Sequence, residues 1–279
     1  MKKRRFPDIL HTAFGGILAL YVFFIGGIIL ADFLLVSGTE LGRRQFMESI
    51  VDPDVLHSVW LSIWTSSVAA AIALGIAVPA GYLLSRGRGA AIRVMDALVD
   101  VPIILPPLLF GISLLVLFQR SAVGPVLEAI GLKFVHKPAG IVLVQVLIAA
   151  AYGTRMLKGT FDGLDPRLPA VARTLGCSQG AAFFRVTLPT VRNDVVAAFV
   201  IIWARALALY GPIIAFVGST VGYTEVMPVR MYLEMSIGRL EAALAIALMM
   251  IALAGAVLVI VKWVGSRRGG DQTVRMTQV

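Results

Sequence analysis

Cysteine is all but missing from this chain: Cys177 is the one thiol among 279 residues, which excludes an internal disulfide. Charge is scarce too, at 15% of residues against 58% hydrophobic, with a mean hydropathy of +0.88. A soluble domain of this length carries more charge, so the composition is that of an integral membrane protein. No lysine directly follows a glycine, so the glycine-rich loop that cradles nucleotide phosphates is absent. His11, His57 and His136 are scattered and suggest no metal site. No Ser/His/Asp set or carboxylate pair stands out near the apolar runs, so nothing argues for bond-making chemistry.

What the chain does have is long apolar runs. A span needs about 20 apolar residues, with roughly 17 the practical minimum. Six runs are read as spans: residues 12–36, 58–84, 101–118, 139–154, 195–217 and 242–261, the fourth short but uncharged. Pro79 is expected to kink the second, and a polar loop through Asp54 to follow the first. The basic start at residues 2–5 resembles a secretory signal. The apolar run behind it is too long and lacks a small-x-small cleavage site, so an uncleaved first span is expected.

Lysine and arginine set the orientation. With both ends inside, seventeen of the 25 fall in inner segments, seven in outer loops, and Arg205 lies within a span. The expected fold is therefore all-α, with six transmembrane helices and both termini cytoplasmic. It divides into an N-terminus (1–11), a transmembrane domain (12–261) with an inner loop at 155–194, and a tail (262–279). Cys177 then faces a reducing compartment, in a small-residue role. The net charge of +9 is a topology signal and implies no nucleic-acid partner; the outer loops are about neutral. The partner of so apolar a surface is membrane lipid. No internal repeat joins the two halves, and six spans are few to enclose a path alone, so two such subunits around an axis are expected.

Between the fourth and fifth spans, residues 165–189 read DPRLPAVARTLGCSQGAAFFRVTLP. Pro166 and Pro169 suit a first helical turn. Residues 170–175 read as a short helix, which Gly176 ends in a left-handed conformation. Ser178 caps a second short helix through Phe183, Phe184 and Val186, and Leu188-Pro189 turns the chain back. Two short helices bearing Arg167, Arg173 and Arg185 cannot span a bilayer but can form a knob on its surface.

This stretch resembles the permease subunits of ATP-binding-cassette importers. Their signature is Glu-Ala-Ala, three residues, Gly, nine residues, an aliphatic residue, any residue, then Leu-Pro. Val171-Ala172 stand for the alanines, Gly176 for the glycine, Val186 for the aliphatic residue, and Leu188-Pro189 close the motif, while Ala170 replaces the glutamate. The resemblance covers roughly residues 58–261. It implies a homodimer or a pair with a similar chain, two ATPase subunits docked on the knob, and an extracytoplasmic binding protein, in a cell inner membrane. This chain would bind no cofactor; ATP and Mg would sit on the partner ATPase. The coupling surface would comprise Arg167, Leu168, Ala170, Val171, Ala172, Leu175, Gly176, Phe183, Leu188 and Pro189. Of these, Leu168, Val171, Leu175 and Phe183 would fill the ATPase groove.

The third span holds Pro102, Pro106 and Pro107, which leave carbonyls without their usual partners. In lipid that is tolerated only against protein or a water-filled path, so it is either a kinked packing helix or a pore-lining one. Leu105-Pro106-Pro107, Gly111, Leu114 and Leu115 are similar to the matching span of molybdate and sulfate permeases. So is Ala204-Arg205-Ala206, although Ala208-Leu209-Tyr210-Gly211 replaces the acid-bearing Gly-Glu-Phe-Gly of those relatives. A charge inside a span faces the bundle or water and has a partner. Arg205 either pairs structurally, with Asp100 or helix-end carbonyls, or meets a passing anion. Pro106, Pro107, Ser113, Arg205 and Tyr210 are the candidate pathway residues, with Gln119 a further polar group. Residues 218–222 read as a turn.

The resemblance thus implies transport of a small oxyanion: molybdate, tungstate or sulfate. Ferric iron, a polyamine or thiamine are alternatives within the family. A secondary transporter or channel, or a membrane enzyme, would be alternatives outside it.

Overall fold

The computed structural model describes the backbone of residues 5–269 and the side chains of residues 10–259; residues 1–4 and 270–279, parts of the two expected terminal segments, lie outside it. No strand occurs among the described residues. Among the described residues, four helices are long and apolar enough to cross a membrane, or up to six if each of two bent pairs is one span.

The first long helix, α1 (Arg5–Gly38), buries none of its most apolar stretch against the rest of the chain. The expected polar loop after it is instead a helix, α2 (Glu40–Val51). Thr39 starts it by accepting from the Gly42 N–H at 3.0 Å, and Glu40 favours the positive helix end. Asp52 then accepts from Asp54 N–H at 2.9 Å, and Pro53 opens α3 (Pro53–Arg86), which Pro79 does not end.

The third expected span is not one rod. Helix α4 (Ala90–Ile104) and helix α5 (Pro107–Arg120) meet at 111°. Two consecutive prolines supply no N–H, and the residue before a proline is driven out of the helical region; Leu105 and Pro106 are accordingly extended. The short α6 (Val123–Ala129) leads to α7 (Pro138–Asp162).

The segment between α7 and the next span folds into α8 (Arg167–Thr174), α9 (Gln179–Ala182), a π-helical turn (Phe183–Thr187) and α10 (Leu188–Thr190). Helix α11 (Arg192–Leu207) leaves this segment at 75°. The fifth expected span is also interrupted: residues 208–210 are not helical before α12 (Gly211–Phe216). The chain ends with α13 (Met227–Ser236) and α14 (Leu240–Gly269).

Small residues bring the central helices together. Ala69, Ala70, Ala73 and Ala77 of α3 are fully buried with Ala149 of α7 and Ile202 and Ala206 of α11. A Cβ added at Gly153 would lie 2.4 Å from the Ile202 side chain, so glycine lets Ile202 seat against α7. A second cluster joins Phe118 of α5 edge-on to Phe216 of α12, with centroids 5.2 Å apart, beside Ile141 and Val144 of α7. Two buried polar groups pair across helices. Met227 N–H donates to Ser62 Oγ at 2.8 Å, and Gln145 donates to the Ala206 carbonyl at 3.1 Å. Arg230 of α13 reaches Asp52 at 3.2 Å and the buried Glu225 at 2.9 Å, anchoring that end of the bundle.

Candidate functional site

The knob expected from the sequence is present. Gly176 has φ +91°, a conformation that side-chain-bearing residues rarely adopt. Gly176 N–H donates to the Arg173 carbonyl at 3.0 Å and Cys177 N–H to Ala172 at 3.1 Å, the paired bonds that close a helix around a left-handed residue. Ser178 then accepts from Ala181 N–H at 3.2 Å to start α9. Arg86 at the end of α3 donates to the carbonyls of Phe161 and Leu164 at 3.1 and 2.9 Å, tying the base of the knob to the bundle.

Leu168, Val171 and Leu175 are exposed, as are Arg167, Ala170 and Pro189; Ala172 is buried and Leu188 half-buried. One expected docking residue faces the other way. Phe183 packs inward against Tyr82 and Phe161, with centroids at 4.7 and 6.3 Å, while Phe184 is 68% exposed. The wide π turn that begins at Phe183 sets which of the adjacent rings points in. No ion pair engages Arg167, Arg173 or Arg185 among the described residues, so the knob presents a cationic rim around apolar side chains.

The two interrupted spans nest against each other. A Cβ at Gly111 of α5 would lie 2.6 Å from the Pro212 Cα and carbonyl oxygen of α12. At Gly211 it would lie 3.7 Å from the Leu108 nitrogen. This contact brings Pro107, at the start of α5, to the gap that holds Tyr210. Pro106, Pro107, Ser113 and Tyr210 are all exposed. Tyr210 stacks on Tyr232 of α13, with centroids 5.3 Å apart and planes at 26°.

Arg205 does not pair with Asp100. Its Nη2 donates to the Tyr152 hydroxyl at 2.7 Å, and its guanidinium lies over the Tyr152 ring at 4.4 Å. Asp100 is taken by Arg155, which also binds Asp96, and Lys158 holds Asp96 at 3.0 Å. Asp96 and Asp100 share a face of α4, as Arg155 and Lys158 do on α7. That spacing was legible, but not which span would meet which. Tyr152 was missed because a tyrosine in an apolar run carries no signal of its own, and Tyr232 because it lies in an expected outer loop.

The candidate residues thus form two separate groups, the knob and the nested breaks, and α11 runs from one toward the other. Among the described residues, no group of His, Cys, Asp or Glu could hold a metal ion.

Residues 77–270 match the family model described as binding-protein-dependent transport system inner membrane component. The chain belongs to this family. As one of these inner membrane components it is a multi-pass membrane protein and a transport subunit, not an enzyme. It is 31% identical over 241 residues to the molybdenum transport system permease protein ModB of Mycobacterium bovis, which covers 86% of this chain and 91% of that one. It is 29% identical over 260 residues to the molybdate/tungstate transport system permease protein WtpB of Pyrococcus furiosus, covering 93% and 97%. The fold is also that of a solved bacterial ABC transporter for alginate import. There the TM-score is 0.74 at 14% identity, over 93% of this chain and 95% of that one.

Proposed function

We propose that this chain is the membrane-spanning subunit of an ATP-driven importer and forms the path for a small tetrahedral oxyanion: molybdate, tungstate or sulfate. The observation that carries this reading is the 31% identity to a molybdenum transport permease over most of both chains. Six spans with both termini in the cytoplasm fit the lysine and arginine bias, and put the knob on the side where an ATPase could dock. Two ATPase subunits would bind ATP and Mg there, and this chain would bind neither. A binding protein outside would deliver the anion, so the neutral outer loops need not steer it. A second copy of this chain, or a similar one, is supported by the exposed apolar stretch of α1 and by an open face at the nested breaks.

The coupling follows from linkage. ATP shifts the permease between states only if the docking contacts differ between them. Closure of the ATPase pair would move the knob through Leu168, Val171, Leu175 and Phe184. The knob joins α11 through a 75° bend, and the displacement would pass along α11 to Arg205 and the gap at 208–210, where the path would open.

The test is reconstitution of the chain in liposomes with an ATPase subunit and the binding protein. ATP-dependent uptake of labelled molybdate, competed by tungstate, is the expected result. Uptake that proceeds without the ATPase, or no uptake of any of the three oxyanions, would overturn the proposal.

A further inference from the structure

We infer that Tyr210 and Tyr232 together form an oxyanion contact in the path, two neutral hydroxyl donors side by side; this rests on the transport reading above. Tyr210 belongs to residues 208–210, where the backbone of a membrane span is not helical. Non-helical backbone at membrane depth is tolerated only where it is buried in protein or lines a water-filled cavity. Tyr210 is 44% exposed and Tyr232 36%, so this face of the gap is open. It looks out beside Pro106 and Pro107, at the second break, through the contact of Gly211 with Leu108. Two breaks in one open surface fit a face turned toward protein or water and not toward lipid.

The chemistry of the pair fits an acceptor-only ligand. The stacked rings fix each other, so both phenols project from a shared platform. Neither hydroxyl has a hydrogen-bond partner among the described residues, unlike that of Tyr152, which Arg205 occupies. A phenol donates one hydrogen bond, and a tetrahedral dianion offers only acceptors. Of the cations nearby in sequence, Arg230 is neutralised by Asp52 and Glu225, while Arg205 keeps its charge beside the Tyr152 ring and hydroxyl. Neutral donors suit a permeation site, where binding must be favourable enough for entry and weak enough for release.

The test compares Tyr210→Phe, Tyr232→Phe and the double variant with the unaltered chain, in liposomes with the ATPase and the binding protein. Phenylalanine keeps the ring stack and removes only the donors. The maximal uptake rate of molybdate is expected to fall roughly three- to ten-fold for each hydroxyl lost. Half-saturation should stay unchanged because the binding protein sets it, and the ratio of molybdate to sulfate uptake should shift. Copurified ATPase should be unaltered. Unchanged maximal rates and an unchanged oxyanion ratio in the double variant would overturn the inference alone. So would loss of the ATPase from the purified double variant, which would assign the pair to packing. Absence of oxyanion uptake by the unaltered chain would overturn the transport reading and this inference with it.

Discussion

The guanidinium of Arg205 lies 4.4 Å over the ring of Tyr152 and donates to the same tyrosine's hydroxyl at 2.7 Å. One side chain thus offers both a ring face and a hydrogen-bond acceptor to a cation in the last turn of α11, where the helix end itself favours positive charge. The pair differs from a carboxylate salt bridge in leaving the positive charge un-neutralised. Arg205→Gln should reduce oxyanion uptake at least roughly ten-fold, the effect of about 1.4 kcal/mol. Tyr152→Phe, which keeps the ring, should cost less. Full uptake by Arg205→Gln with unchanged substrate preference would remove Arg205 from the path.

At Gly176 nothing lies within 4 Å of where a Cβ would sit, so space does not exclude a side chain; the backbone does, at φ +91°. A β-branched residue there costs of order 1–3 kcal/mol and would reshape the knob. Gly176→Val should therefore abolish ATP-coupled uptake and leave membrane insertion intact. Gly176→Asn, which tolerates the left-handed region better, should keep part of the activity. Equal uptake by both variants would show that the left-handed turn is dispensable.

Phe183 and Phe184 are neighbours with opposite surroundings, and serine at each should separate stability from coupling. Phe183→Ser opens a gap against Tyr82 and Phe161 and should lower the thermal midpoint, with a cost of about 2–4 kcal/mol. Phe184→Ser should leave the midpoint within a degree or two and weaken ATPase binding. Thermal scans and ATPase pull-down in detergent read the two effects separately.

The closest approach between the broken spans predicts an asymmetry between two glycines. Alanine at Gly111 meets Pro212 backbone at 2.6 Å, which cannot yield without moving α12. Alanine at Gly153 meets the tip of Ile202 at 2.4 Å, which can rotate. Gly111→Ala should therefore destabilise by about 2–3 kcal/mol and Gly153→Ala by less, on the scale of overpacking. The order of thermal midpoints checks it.

Helix α4 contributes no buried residue to the core, so Asp96 and Asp100 are its main ties to α7. These ions are about a third exposed or less, and the network is partly screened. Replacing both with asparagine should loosen α4 by about 1 kcal/mol, seen as roughly five-fold faster amide exchange across residues 90–104. The exchange of α7 should be unchanged.

The knob was readable because its signals are local: proline in a first turn, glycine at a left-handed cap, serine as the next cap. The long apolar helices were readable from run length alone. The breaks at 105–106 and 208–210 were only half legible. Adjacent prolines announce an interruption but carry no angle, and Ala208-Leu209 reads as good helix until tertiary packing of α12 on α5 stops it. The partner of Arg205 was missed because cross-helix pairing depends on the depth at which spans meet. Helix α2 was missed because charges at residues 43, 44 and 48 mask the buried face of Gly42 and Ser49.

The gap at residues 208–210 divides the molecule mechanically. On one side lies α11, joined to the part that protrudes through a 75° bend at residue 191; on the other, α12 packs on α5 backbone against backbone. A push applied at the protrusion would swing the first like a crank and leave the second seated like a valve rim. The amount by which the channel widens would then be set by three residues of uncoiled chain and not by the strength of the push.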